Sequence, residues 1–197
     1  MINAILPITL FGLAAAGTPG PNNIMLTASG SAFGFRRSVP HIAGIIVGFP
    51  LMFLAVGLGL GELLMRLPHV HLALKYAGAA YLLYLAWRIA QSGRPDSGEA
   101  GGRPLTFFEA AAFQWVNPKA WMIAISAIPA FTTIGGNYYA ELLLMGAIFA
   151  FVTVPSCSVW CLFGVGIRRL IRSPETARIV NLGLAALVAL SIGLLFV

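Results

Sequence analysis

Charge is what this sequence has least of. Only 9% of its 197 residues are charged, whereas a soluble domain carries roughly 25%. Apolar residues reach 59% and the mean hydropathy is +0.89. This scarcity excludes an ordinary soluble domain, and it assigns the net charge of +6 to orientation in a membrane rather than to a nucleic-acid partner.

Cysteine, histidine and acidic residues are also scarce. The two cysteines, Cys157 and Cys161, lie four residues apart on one predicted helix, which is not the pattern of a disulfide framework. The three histidines occur at span ends or in links without an acidic cluster beside them. We therefore predict no metal site, no cofactor and no enzymatic activity. The N-terminus also lacks a basic segment before its apolar run, which argues against a cleaved signal peptide.

Six apolar stretches predict six membrane spans, because each crossing needs roughly 20 mostly apolar residues. The stretches are 2–28, 41–64, 72–90, 105–131, 141–167 and 179–197. A polar linker, 91–104, divides the chain into 1–90 and 105–197, which we interpret as two parts of one membrane domain.

The basic residues are distributed unevenly over the predicted links, the first of which is 33–38. Links two and four contain only Arg66 and Lys75. Links one, three and five contain nine arginines: Arg36, Arg37, Arg88, Arg94, Arg103, Arg168, Arg169, Arg172 and Arg178. Because basic residues are retained on the cytoplasmic side, we predict a bacterial inner-membrane protein with both termini in the periplasm.

Two of the predicted spans are interrupted by proline. Span one contains Thr18-Pro19-Gly20-Pro21-Asn22-Asn23, and span four contains Trp115-Val116-Asn117-Pro118-Lys119. Proline removes a backbone donor and clashes with the preceding turn. In lipid the freed carbonyls cost several kcal/mol each. Such breaks are therefore expected where the backbone lines a cavity or meets another helix.

The two breaks lie at equivalent positions of an internal repeat. An offset of 97 residues aligns Pro21 with Pro118 and Gly20 with Asn117. A repeat unit of three spans must cross the membrane in the opposite direction in its second copy. The predicted fold is therefore an all-α integral membrane protein of six transmembrane helices, in two inverted-topology three-helix repeats, with helices 1 and 4 broken.

The residues at the breaks suit a zwitterionic ligand. Asn117 is a plausible N-cap with Pro118 as the first helical residue, and Gly20 or Thr18 would cap the half-helix that begins at Pro21. Half-helix N-termini and Lys119 would bind a carboxylate, while carbonyl and amide oxygens would bind an ammonium. We predict a small amino acid as substrate, bound by Gly20, Pro21, Asn22, Asn23, Gln114, Asn117, Pro118 and Lys119.

Other polar residues have weaker assignments. Glu109 is the one acid we consider for proton coupling, although an interfacial role or a pair with Lys119 is also open. Glu62 and Arg66 are spaced to form a surface pair. The group Ser156, Cys157, Ser158 and Cys161 is interpreted as allowing close helix packing, with the lining of a path as the alternative.

These motifs, together with Gly34-Phe35-Arg36 and Gly44-x-x-x-Gly48, resemble the LysE/RhtB family of bacterial amino-acid exporters over the whole chain. The resemblance implies efflux of an amino acid or derivative across the inner membrane in exchange for protons. Thr18 to Asn23 looks most like the cysteine and O-acetylserine branch, with threonine and homoserine exporters as relatives. Members that handle basic or hydroxylated substrates often carry an aspartate where this chain has Gly48-Phe49-Pro50, so a neutral substrate is favoured.

Three alternatives stay open at this point. A membrane thiol-redox carrier would use Cys157 and Cys161, an exporter of basic amino acids would share the fold, and a heavy-metal exporter would need more Cys, His or Asp inside the spans. The expected partners are the substrate and the lipid bilayer, and the composition is compatible with a homo-oligomer.

Overall fold

The computed structural model describes residues 2–92, 102–171 and 173–196. These residues form α-helices and single turns of other helix types, and they include no β-strand. The helices are α1 (Ile2–Gly17), α2 (Pro21–Phe33), α3 (Phe35–Ala55), α4 (Gly61–Arg66), α5 (Pro68–Ala90), α6 (Phe107–Phe113), α7 (Pro118–Phe131), α8 (Tyr138–Arg168) and α9 (Pro174–Leu190).

Both predicted breaks are present. The chain bends by 56° between α1 and α2, and α2 starts with Pro21 behind the extended residue Gly20. A 3₁₀ turn, Gln114–Val116, separates α6 from α7, which starts with Pro118 behind Asn117. Proline fits the first helical position because that N–H has no intrahelical acceptor. The caps at Gly20 and Asn117 are therefore confirmed.

Three of the described helical segments are long and apolar enough to cross a membrane: Phe35–Leu64, Tyr138–Arg168 and Pro174–Gly193. The bent pair α1 and α2 makes a fourth if it is one broken span. Helix α5 has the length but carries Lys75 and Arg88. The helices thus bear out an apolar, all-helical chain, and they account for three or four of the six predicted spans by length and composition.

The first link is shorter than predicted. Gly34, with φ of 79°, is the single residue between α2 and α3, so Arg36 and Arg37 belong to the first turn of α3 rather than to a free link. Glycine is suited to this turn because side chains with a Cβ rarely adopt that φ. Most of the linker 91–104, with Arg94, lies outside the described residues, as does Arg172.

Glycines allow helices from the two halves of the chain to approach closely. A Cβ at Gly30 of α2 would overlap the carbonyl oxygen of Cys161 on α8. A Cβ at Gly44 of α3 would overlap the carbonyl oxygen of Phe107 on α6, and one at Gly48 would lie 2.5 Å from the Cα of Ala111. This contact fits the close packing that small residues allow between helices in lipid. Helix α1 also packs on α8, and α5 on α9.

The buried apolar side chains form two clusters. One contains Ile45 and Cys157, and the other contains Phe49 and Val152. The boundary between the clusters therefore lies between Ile45 and Phe49 on α3 and between Val152 and Cys157 on α8. The interrupted backbone of α1–α2 and α6–α7 lies at this boundary, between two apolar regions.

Candidate functional site

A cavity lies where the two breaks meet. Its empty volume, which includes space open to the outside, is about 540 Å³. Because three asparagines line it, we call it the asparagine cavity. It is lined by Gly12, Ala15, Ala16, Gly20, Asn22, Asn23, Ile45, Phe49, Asn117, Lys119, Ala120, Ile123, Phe149, Val152, Thr153, Ser156 and Cys157.

The C-terminal end of α1 is held by side chains. The carbonyl oxygen of Ala16 accepts hydrogen bonds from Asn23 Nδ2 at 2.8 Å and from Ser156 Oγ at 2.7 Å. The carbonyl oxygen of Thr18 accepts from Asn23 Nδ2 at 2.8 Å and from Lys119 Nζ at 2.5 Å. The last carbonyls of a helix have no intrahelical donor, so these side chains satisfy the carbonyls at the end of α1.

Lys119 connects the two breaks. It follows Pro118 at the start of α7, and its backbone N–H donates to Asn117 Oδ1 at 3.2 Å. Its side chain runs past Gly20, where a Cβ would lie 2.6 Å from Lys119 Cδ. Among the described residues no carboxylate pairs with it. Its ammonium is therefore held by a neutral carbonyl in the wall of a cavity.

Asn22 and Gln114 form a second connection. Asn22 Nδ2 donates to Gln114 Oε1 at 2.9 Å, and Gln114 Nε2 donates back to Asn22 Oδ1 at 3.1 Å. Gln114 Nε2 also donates to the carbonyl oxygen of Ala110. Gln114 is fully buried and lies behind Asn22 rather than in the cavity wall. It fixes the orientation of the Asn22 amide.

Of the eight predicted binding residues, five line the asparagine cavity: Gly20, Asn22, Asn23, Asn117 and Lys119. Gln114 supports Asn22 from behind. Pro21 and Pro118 are buried at the starts of α2 and α7 and do not line the cavity. Their place in the structure is to set where each half-helix begins.

Glu109 lies away from this cavity. Its carboxylate accepts from Arg103 Nη1 at 2.5 Å and Nη2 at 2.7 Å, and it forms a capping box with Thr106. The hydrogen bonds to this carboxylate raise the pKa of Arg103 above its ordinary value. The alternative pair between Glu109 and Lys119 is not formed. Glu62 and Arg66 do pair, at 2.5 Å on the exposed surface.

The cavity includes residues from α8 that sequence reasoning treated as packing or passed over. Ser156 and Cys157, for which the sequence favoured packing over the lining of a path, line it, and Cys157 also belongs to a buried apolar cluster. Thr153 and Phe149 line the cavity as well. Phe149 stacks edge-on against Phe49 at 5.7 Å between ring centroids. The sequence signal for this segment was Pro155 beside Thr153 and Ser156. Cys161, by contrast, packs on Gly30, and both cysteines are free and buried.

Comparison with known proteins places these features in a family. Residues 13–197 match the model of the LysE type translocator. Proteins named cysteine/O-acetylserine efflux protein, from Escherichia coli (strain K12) and Shigella flexneri, are 33% identical over 178 residues, covering 90% of this chain and 89% of theirs. No solved structure matches the chain. The resemblance seen in the motifs is thus confirmed: the chain belongs to the family of LysE type translocators and is a multi-pass inner-membrane exporter, not an enzyme.

Proposed function

We propose that the protein is a secondary transporter that exports a small neutral amino acid or derivative by proton antiport. The substrate class is that of cysteine and O-acetylserine, with threonine and homoserine as related candidates. The observation that carries the proposal is that Lys119, which lines the asparagine cavity, donates from Nζ to the Thr18 carbonyl oxygen at the end of α1.

A zwitterion can replace this contact, because it carries a partner for the lysine cation and a partner for the carbonyl oxygen. The carboxylate of the substrate would bind the Lys119 ammonium, and its own ammonium would replace Lys119 at the Thr18 carbonyl. Each partner lost from the resting contact is replaced by one of the same kind, and a charge-assisted bond to the carboxylate is added. Asn22 and Asn117 supply neutral donors and acceptors beside it, so binding leaves no buried polar group unpaired.

The charge of the cavity wall favours a neutral amino acid over a basic one. Among the described residues that line the cavity, Lys119 is charged and none is a carboxylate. A substrate with a second positive charge would be repelled, because like charges interact strongly at short range in a medium of low dielectric. The efflux proteins to which the chain is 33% identical are named for cysteine and O-acetylserine, which are neutral amino acids.

We further propose six crossings in two inverted repeats, 1–90 and 105–197. The starts of α2 and α7 are separated by the 97 residues of the sequence repeat. Under this repeat α1 corresponds to α6 and α3 to α8, and helix packing follows the same rule, because α1 packs on α8 and α6 on α3. The linker 91–104 and both termini would then lie on opposite sides of the membrane.

Proton coupling is assigned to Glu109 in this proposal. The acid pairs with Arg103 in the described state, and this pair favours the ionised carboxylate, so Arg103 must move away before Glu109 can bind a proton. The thiol-redox alternative has less support, because both cysteines are on α8 and so belong to one repeat. A Cys157→Ser, Cys161→Ser protein that still exports the substrate would eliminate that alternative.

Transport by proteoliposomes tests the proposal. Labelled cysteine, O-acetylserine, threonine, homoserine and lysine are compared with and without a pH gradient, using the wild type, Lys119→Ala and Asn22→Ala. We expect uptake of a neutral amino acid, and loss of a charge-assisted bond of about 1.5–3 kcal/mol should lower kcat/KM in Lys119→Ala by roughly 10- to 100-fold. The matched control is Lys75→Ala, which changes the other lysine of the chain; this lysine contacts the Phe196 ring. Unchanged transport by both site variants would refute the proposal.

A further inference from the structure

A second cavity lies at the other end of α2. It has an empty volume of about 490 Å³ and lies beside the arginine-rich links. We call it the arginine cavity. Its wall includes Ser29, Phe33, His41, Arg88, Arg103 and Leu105.

His41 is the unusual group in this cavity. Its side chain is 1% exposed, yet neither ring nitrogen has a hydrogen-bond partner among the described residues. A buried polar group without a partner costs about 1–3 kcal/mol, and native structures rarely leave one unless a ligand or water serves it. His41 lines the cavity, but both unsatisfied nitrogens are buried, so the ring or its neighbours must shift before a nitrogen can contact a molecule inside it.

The surrounding charges favour an anionic group. Arg88 and Arg103 line the cavity, and Glu109, which pairs with Arg103, is the acid beside them. Arg88 Nη2 donates to the carbonyl oxygen of Arg103 at 2.9 Å, which holds the two arginines at the same wall. Two cations against one carboxylate leave a positive excess that attracts the carboxylate of an amino acid.

The wall between the two cavities is about one helical turn thick. On α2, Asn22 and Asn23 line the asparagine cavity and Met25 lines the arginine cavity. On α3, Ile45 lines the first cavity and His41, four residues earlier, lines the second. Four residues of helix span about 6 Å. Met25 and Ile45 are both buried and belong to the same apolar cluster.

We propose that the arginine cavity is the vestibule through which the substrate reaches the asparagine cavity from the arginine-rich face, and that His41 binds the substrate there. The inference rests on the proposed function, since it takes the amino acid as its ligand. Displacement of Met25 and Ile45 would join the two cavities into one path. His41 thus has a binding role that no sequence motif indicated.

Kinetics provide the first test. Uptake into everted vesicles, in which the arginine-rich face is outside under the proposed topology, is measured for the wild type, His41→Ala and His41→Gln. We expect KM to rise about tenfold in His41→Ala, as loss of one hydrogen bond to a charged group predicts, with partial rescue by His41→Gln. His69→Gln, at an exposed position in α5, is the control. If the wild type transports and both His41 variants have the KM of the wild type, this inference alone is refuted. If the wild type transports no amino acid, the proposed function is refuted and the inference with it.

Cysteine labelling provides a test that does not depend on the stability of His41 variants. In a Cys157→Ser, Cys161→Ser background, Ala32→Cys introduces a thiol in the wall of the arginine cavity. Leu26→Cys, on the same helix and fully buried outside both cavities, is the control. A membrane-impermeant anionic methanethiosulfonate applied to the arginine-rich face should label Ala32→Cys and not Leu26→Cys, and saturating substrate should slow the labelling several-fold. Absence of labelling, or labelling that substrate does not slow, overturns the vestibule.

Discussion

Lys119 lies where an isolated helix would disfavour a cation. It is the second residue of α7, and a helix N-terminus carries partial positive charge. The compensation comes from the end of α1, where the Thr18 carbonyl accepts from Nζ and the helix dipole is negative. The lysine thus lies between opposite helix ends. A ligand carboxylate would relieve the repulsion at α7, which gives binding a favourable term that the empty state lacks.

Substitution of Gly20 tests how closely this geometry is set. Gly20 has φ of −173°, an extended conformation that alanine also adopts, but its Cβ would lie 2.6 Å from Lys119 Cδ. We expect Gly20→Ala to displace the lysine side chain and to raise KM by about tenfold. The free energy of unfolding, measured by thermal unfolding in detergent, should change by less than about 1 kcal/mol because the lysine side chain can move. Gly17→Ala adds a methyl group with nothing within 4 Å and should leave KM unchanged. Equal KM values for the two variants would contradict the expectation.

Glu109 offers a second residue-scale prediction, on proton coupling. Glu109→Gln keeps the capping box with Thr106, because glutamine serves at that position, but it removes the titratable charge that binds Arg103. Uptake by this variant in the presence of a pH gradient should fall to the level measured without a gradient, and exchange of labelled for unlabelled substrate should persist. Thr106→Ser preserves the cap and is the control. If Glu109→Gln responds to the gradient as the wild type does, the coupling residue lies elsewhere.

At the scale of elements, helix ends were more predictable than helix contacts. Pro21, Asn117 and Pro118 carry local signals, since caps and proline act on the backbone next to them, and these assignments agree with the structure. The sequence left the role of Ser156 open between packing and the lining of a path, and it gave no role to Thr153, because both are ordinary polar residues in an apolar helix. The contacts of α8 depend on residues distant in sequence, because Ser156 bonds the carbonyl oxygen of Ala16 and Phe149 packs on Phe49.

The contact of α2 with α8 yields an element-scale prediction. A Cβ at Gly164 would overlap the carbonyl oxygen of Thr27, whereas a Cβ at Gly166, two residues later on the same helix, would have nothing within 4 Å. Backbone cannot yield as a side chain can, so Gly164→Ala should destabilise the protein by about 1–3 kcal/mol. Gly166→Ala should be neutral or slightly stabilising, because alanine is the better helix former. Thermal unfolding of the purified proteins in one detergent measures both. A Gly164→Ala protein as stable as Gly166→Ala would mean that the two helices do not approach this closely.

At the scale of the molecule, the asparagine cavity exists only because the two halves of the chain interlock. Lys119 and Gln114 of the second half contact Thr18 and Asn22 of the first, and α3 packs on both α6 and α8. A transporter of two rigid halves needs such an interface to alternate its opening, because a site at the interface can be exposed by relative movement of the halves. The repeat in the sequence suggested this arrangement, but the depth of α6 and α7 in a membrane could not be read from length and composition.

Membrane topology is the last prediction, and it follows from the distribution of arginine. With links one, three and five cytoplasmic, reporters joined after Ser92 should be cytoplasmic, and those joined at Gly135, between α7 and α8, or after Val197 should be periplasmic. Alkaline phosphatase is active only in the periplasm and green fluorescent protein fluoresces only in the cytoplasm, so the two reporters should give reciprocal signals at each site. The pattern requires α6 and α7 to complete one crossing between Ser92 and Gly135, although together they are shorter and more interrupted than α8. Fluorescence after Val197 would give an odd number of crossings or the opposite orientation. In that case fluorescence after Ser92 would place the change in the number of crossings after this residue, whereas alkaline phosphatase activity after Ser92 would mean that the whole chain is reversed or that the change lies before this residue.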